Sequence, residues 1–367
     1  MASRLKSDRV LFMAALVLVG ASVVMVYSAS AVIAAKEFDD GYHYVTRQAL
    51  WVVLGVSVLA IAMHIDYRTY RSDPFVWTVI GIVTVLLIAV FFARPVNGAH
   101  RWLMIAGFGI QPAELAKFAC VLFTALVLER RMHRINEVRY SLLPIGIVAG
   151  GLAALILNQP DYGTTVSLLL VVGVMVFAAG LQYRYLIAGT ALLAAVMVRE
   201  LMREEYRWRR VISFLDPWAD RFGDGWQVVQ SHIAVGTGGV FGRGLMTPGQ
   251  KLFFLPEPHT DFIFSVIAEE LGLIGASAVL LCFCVIAWRG LRIALRAEDS
   301  FGAFVALGLT TMICAQALIN MSVALGLLPP KGIPLPLLSA GGSSMLVSLL
   351  GIGVLLNISQ HETETAT

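Results

Sequence analysis

Runs of about twenty mostly apolar residues recur along the whole chain, and a run of that length is what an α-helix needs to cross the hydrocarbon core of a bilayer. Ten spans are predicted, near residues 10–35, 46–64, 74–93, 112–129, 141–158, 161–180, 183–201, 262–288, 302–327 and 336–358. The fifth and sixth are separated only by Asn158-Gln159-Pro160-Asp161. Composition agrees, with 58% hydrophobic and 14% charged residues and a mean hydropathy of +0.79, where a soluble domain carries about 25% charged residues. The expected fold is an all-α polytopic membrane protein, a single integral domain over residues 1–367. The first run exceeds the roughly 7–15 residues of a signal-peptide core, so it is expected to remain as the first span.

Charge sets the orientation. With both termini cytoplasmic, the inner segments hold Arg4, Lys6, Arg9, Arg68, Arg71, Arg130, Arg131, Arg134, Arg139, Arg184, Arg289, Arg292 and Arg296. The short outer loops hold only Lys36, Arg47, Arg94, Arg101 and Lys331. That bias is the positive-inside pattern. The net charge of +3 is too small to suggest nucleic acid, and topology explains the basic residues better. The four cysteines, Cys120, Cys282, Cys284 and Cys314, lie within apolar runs and read as small buried hydrophobes. A large loop, residues 202–261, then falls outside between the seventh and eighth spans, with Arg210 and Arg243 among its basic residues. Its run Gly236-Thr-Gly-Gly-Val-Phe-Gly-Arg-Gly244 lacks the G-x-x-x-x-G-K-[ST] of a phosphate loop and reads as tightly turned backbone.

The chemistry concentrates in Phe253-Phe254-Leu255-Pro256-Glu257-Pro258-His259-Thr260-Asp261, immediately before the eighth span. Ionisable groups at the mouth of a membrane helix are costly to keep and mark a functional site by default. Asp261 is expected to act there, and also to cap the helix that follows. Three other polar intrusions lie in apolar surroundings. Glu114 and Lys117, three apart after Arg101 and Gln111-Pro112, share a helix face and can pair, either as a register-fixing ion pair or as part of a site. Asp161 reads first as a helix cap. The run Lys331-Gly332-Ile-Pro334-Leu-Pro336, continuing to Ser339-Ala-Gly341-Gly342-Ser343-Ser344, implies non-helical backbone, tolerated at membrane depth only where it lines a cavity or is buried in protein. Its serines serve either as caps or as substrate-lining groups.

Together these stretches resemble the SEDS family of peptidoglycan polymerases. The resemblance rests on R-W-L-M-I-A-G-F-G-I-Q-P-A-E-L-A-K, N-Q-P-D-Y-G-T, F-L-P-E-P-H-T-D-F-I-F-S-V-I-A-E-E-L-G and P-L-P-L-L-S-A-G-G-S-S, in family order and over almost the whole chain. The details look more like the division branch than the elongation branch, and Ala340 departs from the aromatic residue common in the family. The resemblance implies polymerisation of lipid II on the outer face of the bacterial cytoplasmic (inner) membrane. It also implies a class B penicillin-binding protein as partner, among other divisome or elongasome membrane proteins. It places the essential acid on Asp261 and an interacting acid and base on Glu114 and Lys117.

Inverting an anomeric centre needs a carboxylate to take the acceptor hydroxyl's proton, and Asp261 is the candidate. The departing diphosphate needs fixed positive charge, for which Arg101 and Lys117 are candidates ahead of Arg210 and Arg243. Asp161, Glu257, His259, Lys331 and Ser343 complete the candidate substrate-binding set. No nucleotide site is expected; Mg²⁺ or Mn²⁺ at Asp261, bridging diphosphate oxygens, is the metal expectation. A lipid II flippase and a scaffold without chemistry are the competing readings.

Overall fold

The computed structural model describes residues 7–95, 100–105, 108–247, 249, 255 and 257–361, of which the side chains at 105, 206 and 207 are not described. Helices carry nearly everything. In chain order they are α1 (Arg9–Phe38), α2 (His43–His64) and α3 (Asp73–Ala89), then a hairpin of β1 (Leu103–Ile105) and β2 (Phe108–Ile110). There follow α4 (Pro112–Arg131), α5 (Leu143–Asn158), α6 (Tyr162–Ala178), α7 (Tyr183–Met202), α8 (Glu205–Leu215), α9 (Trp226–Gly238), α10 (Ile263–Arg296), α11 (Ser300–Ala324) and α12 (Gly342–Ser359). Each of the ten expected spans coincides with one of these helices. Among the described residues, eight helices are long and apolar enough to cross a membrane, α3 being continued to Phe92 by a 3-10 turn and α5 preceded from Val138 by a π turn. The other two are α6, apolar but only 17 residues long, and α4, which carries Glu114, Lys117, Glu129, Arg130 and Arg131.

Burial sorts the helices into an inner and an outer set. Nearly every residue of α12 is buried, as is most of α4 and α11, whereas α7 buries none of its side chains. Helix α12 packs on α2, and α11 on α4, α6 and α10. The outer helices turn large apolar side chains such as Val53, Val85, Ile187, Leu281 and Leu295 outward, which suits contact with lipid rather than water. At one end the bundle is tied by Asp8, whose side chain caps α1 and also takes Arg289 Nε at 2.6 Å. The Asp8 backbone N–H donates to Ser359 Oγ at the far end of the chain.

Three features depart from the sequence reading. The long loop contains two helices, α8 and α9, and the chain before α4 folds into a two-stranded hairpin in an otherwise helical protein. The last helix starts at Gly342 rather than near 336, because Pro334 and Pro336 hold the preceding backbone out of helix.

The glycine-rich run after α9 has a specific use. Helix α10 is broken at Gly272 (φ 67°, ψ −163°), which leaves backbone groups without helical partners. The turned segment Gly239–Gly244 lies along the break and supplies them. Arg243 N and Gly244 N donate to the carbonyls of Glu269 and Glu270 (3.0 Å each), and Leu273 N and Ile274 N donate to those of Gly239 and Val240 (2.9 and 3.3 Å). Approach this close excludes side chains: a Cβ on Gly238 would strike the Ala268 carbonyl, and one on Gly272 would strike the amide of Gly242. Unsatisfied backbone at membrane depth is thereby avoided.

Candidate active site

The non-helical run Ile333–Gly341 forms the floor of the site, and α11 holds it in place. Gln316 and Asn320 lie one turn apart on the buried face of α11. Asn320 Nδ2 donates to the carbonyls of Ile333 (2.7 Å) and Asp261 (2.9 Å), and Gln316 Nε2 donates to the Pro334 carbonyl at 3.0 Å. Ser339 then joins this run to the chain before α10: its hydroxyl donates to the Thr260 carbonyl at 2.6 Å while accepting from Leu335 N. The Ala340 amide donates to the His259 carbonyl at 2.9 Å. The backbone around Asp261 is therefore fixed by donors from two other parts of the chain.

Asp261 itself is half-buried, one residue before the N-cap of α10. Phe262 occupies the cap position and no side-chain cap bond forms, so the expected capping role of Asp261 is not realised: its carboxylate lies one residue too early in the turn. Desolvation by burial pushes this carboxyl up to about 7; Glu257 adds to the rise, Arg101 opposes it, and Asp161 adds further. The bare backbone of Gly332 lies alongside. A Cβ there would come within 3.3 Å of Asp261 Oδ2 and 4.0 Å of an Arg101 guanidinium nitrogen, so the acid and the cation flank one glycine.

Arg101 is anchored from behind by the chain between α5 and α6, with Nε donating to the Gln159 carbonyl at 3.2 Å and a terminal nitrogen to that of Pro160. Asp161 caps α6 as expected. Its oxygens accept from Thr164 N (3.1 Å), Thr164 Oγ1 (2.9 Å) and Gln111 Nε2 (3.0 Å), which leaves it a holding role. Lys331 lies near it; burial lowers the affinity of this amine for its proton and Asp161 partly restores it. Two cations and two carboxylates thus share the mouth.

Glu114 and Lys117 do pair, at 2.9 Å on the first turns of α4, which begins with Pro112 as the sequence suggests. Lys117 is 2% exposed and its ammonium also donates to Gln316 Oε1. It therefore acts on the site through Gln316 and the Pro334 carbonyl rather than by presenting its own charge. Ser343 does not cap α12, whose N-cap is Gly341. Its hydroxyl accepts from Gln111 N at 2.9 Å, which ties the start of α12 to that of α4. His259 is buried, with its ring 4.4 Å from that of Tyr44, and burial holds its pKa down to about 4, so it is neutral at pH 7. The charges that act on Asp261 do not include Arg210, on α8, or Arg243, which sits 3.8 Å from Glu269 at the break in α10. Phe253, Phe254 and Pro256 lie outside the described residues.

Gln316 and Asn320 escaped the sequence reading. The signal was present as two amides four residues apart on one face of an otherwise apolar helix. No metal cluster is formed: among the described residues no three His, Cys, Asp or Glu side chains come together to hold an ion. Asp161 is occupied by donors, so Mg²⁺ or Mn²⁺ at Asp261 fits only with substrate oxygens as further ligands.

Fold and site together define a multi-pass helical membrane protein with one desolvated acid, faced by cations, at the mouth of its core. Known proteins share this plan. The family described as cell cycle protein, FtsW/RodA/SpoVE, matches residues 8–364. A probable peptidoglycan glycosyltransferase FtsW of Geobacter sp. (strain M18) is 42% identical over 358 residues, 96% of each chain. Stage V sporulation protein E of Bacillus subtilis (strain 168) is 41% identical over 96% of this chain and 97% of its own. Among solved structures, a chain from a study of polymerization and crosslinking by a peptidoglycan synthase complex superposes with a TM-score of 0.77 at 30% identity, covering 96% of this chain and 97% of its own. The rod shape determining protein RodA of Thermus thermophilus does so with a TM-score of 0.73 at 26% identity, covering 98% and 99%. The chain belongs to the FtsW/RodA/SpoVE family.

Proposed function

We propose that this chain polymerises lipid II into β-1,4 glycan strands on the outer face of the bacterial inner membrane, in the division branch of its family. It is a peptidoglycan glycosyltransferase. The observation that carries the reading is the Asp261 carboxyl, raised to about 7 beside Gly332 and Arg101. A base works best with a pKa near the working pH, where enough of it is ionised and it still binds a proton strongly. In this reading Asp261 takes the proton of the acceptor sugar hydroxyl as the hydroxyl oxygen attacks the donor's anomeric carbon. The bond to the diphosphate breaks on the opposite face, and Arg101 and Lys331 stabilise the charge that develops there. Mg²⁺ or Mn²⁺, when bound with Asp261, would neutralise diphosphate charge. Arg101 is held on two backbone carbonyls, so its orientation is set before substrate arrives.

This reading has all ten expected spans crossing, α4 and α6 included, with both termini cytoplasmic and residues 202–261 outside. It is supported by the basic bias of the inner segments and by Arg130 and Arg131 at the end of α4 opposite Glu114 and Lys117. A class B penicillin-binding protein as partner is supported by the likeness to a chain of a synthase complex that polymerises and crosslinks. The test is purified protein with labelled lipid II, read as strands on a gel. Asp261→Asn should leave membrane insertion intact and lower the rate by roughly 10²–10⁴-fold. Strand synthesis at the wild-type rate would remove Asp261 from the mechanism, and movement of lipid II across vesicles without polymer would make the protein a flippase.

A further inference from the structure

Asn320, on the buried face of α11, is a poor choice for packing alone. It is 1% exposed, and its Oδ1 is buried without a hydrogen-bond partner among the described residues. An unmatched acceptor in the interior costs free energy, and an apolar side chain of like size would avoid that cost. What the amide adds is the two donors of Nδ2, spent on the carbonyls of Asp261 (2.9 Å) and Ile333 (2.7 Å). These carbonyls belong to two stretches of backbone that carry opposite charges to the mouth. One holds the acid itself. In the other, Ile333 N donates back to the Lys331 carbonyl at 2.9 Å, a tight turn that makes Lys331, Gly332 and Ile333 one unit. Helix α6 closes on this turn as well, since a Cβ on Gly163 would strike the Ile333 side chain. Ile333, 3% exposed, is thus held by α6 through its side chain and by Asn320 through its carbonyl.

We propose that Asn320 is a positioning residue for glycan polymerisation, and that it sets the separation between Asp261 and the Lys331–Gly332 turn beside Arg101. The role rests on the reading of Asp261 as the base. An inverting displacement takes the acceptor's proton on one face of the anomeric carbon and releases the diphosphate on the other. Base and cations must therefore stand a fixed distance apart with the sugar between them, and a misplacement of about an ångström is costly. Asn320 is buried behind both stretches and acts through their backbone. Gln316, one turn earlier, holds the Pro334 carbonyl and leads to Lys117, whereas Asn320 reaches the residue that carries the acid. Loss of its two bonds frees the acid and the turn to move relative to each other, while the carboxylate and the cations themselves remain.

The test is a double-mutant cycle on full-length protein, read as the initial rate of strand synthesis over a range of lipid II concentrations. Asn320→Ala should lower kcat by roughly 10–100-fold with KM for lipid II little changed. In the Asp261→Asn background no carboxylate is left to aim, and the same substitution should cost less than about threefold. A role confined to folding would instead lower both backgrounds by the same factor. Thermal melting of each variant reports the fold. Asn320→Ser, which keeps one donor, is carried through the same cycle, should lose less than Asn320→Ala, and decides the matter where Asn320→Ala does not insert. Equal factors in the two backgrounds overturn the proposal, as does a wild-type kcat in Asn320→Ala. A rise in KM with kcat unchanged overturns it too, and places Asn320 in substrate binding. If Asp261→Asn alone polymerises at the wild-type rate, the base reading has failed and the positioning role falls with it. If Asp261→Asn is impaired and the two factors are equal, the positioning role alone falls.

Discussion

Asp261 shows how a single side chain acquires its chemistry from its surroundings. Burial and Glu257 push its pKa to about 7, against the pull of Arg101. The base must be ionised to work, so the polymerisation rate should rise with pH and level off above about 7. His259, held near 4, cannot account for such a limb. Glu257→Gln removes a carboxylate that raises the Asp261 pKa, so the limb should move to lower pH; an unmoved or upward-shifted limb would assign it to another group. Gly332 makes a second prediction. A methyl at 3.3 Å from the carboxylate and near Arg101 intrudes where the reacting groups must meet. Gly332→Ala should therefore lower kcat by roughly tenfold or more while thermal stability is kept, since misplacement of about an ångström is costly to catalysis. At this scale the sequence was informative about charge and poor about amides. An acid before an apolar helix stands out, whereas Gln316 and Asn320 look like ordinary polar residues until the backbone they hold is seen.

Among the elements, the long helices were legible because lipid demands unbroken apolar runs; most run ends fall within a few residues of the observed ends, but α10 runs eight residues past the expected 288 and α12 starts six after the expected 336. Helices α8 and α9 were not legible, being short and mixed in composition within a loop. The hairpin before α4 has strands of three residues, too few to show an alternating pattern. The pairing of Glu114 with Lys117 was foreseen from spacing, but its link through Gln316 to the Pro334 segment required tertiary contact. Removing one member strands a buried charge, at a cost of about 3–5 kcal/mol. Lys117→Met should thus lower the melting temperature strongly, and Glu114→Leu/Lys117→Met should melt closer to wild type than the single variant does. A double variant no more stable than the single one would mean that the pair is not electrostatically coupled. If stability returns while activity does not, the pair's contribution is to aim the segment around Gly332.

On the scale of the whole molecule, the orientation in the membrane is the inference most open to direct attack. If residues 202–261 lie outside, cysteine placed at Trp218, which is 53% exposed, should react with a membrane-impermeant maleimide in intact spheroplasts. Cysteine at Arg134, in the segment after α4, should react only after lysis. The background is low because Cys120 is buried and the other native cysteines lie on α10 and α11, within apolar helices. The reverse labelling pattern would move Asp261 to the wrong side and end the polymerase reading. The expected orientation rests on the Lys and Arg bias alone, a signal that needs no tertiary contact to be read.

The seam between Gly239–Gly244 and the break in α10 bears on how the protein is made. A nascent α10 cannot settle into lipid as one uninterrupted rod, because its middle carries backbone groups that only an earlier, looped-out segment can match. That segment leaves the ribosome first. If residues 202–261 lie outside, biogenesis of this chain has a built-in order, translocation of the loop before completion of the helix, and a bulky residue at Gly238, whose Cβ would strike the Ala268 carbonyl, should impair maturation before it touches catalysis.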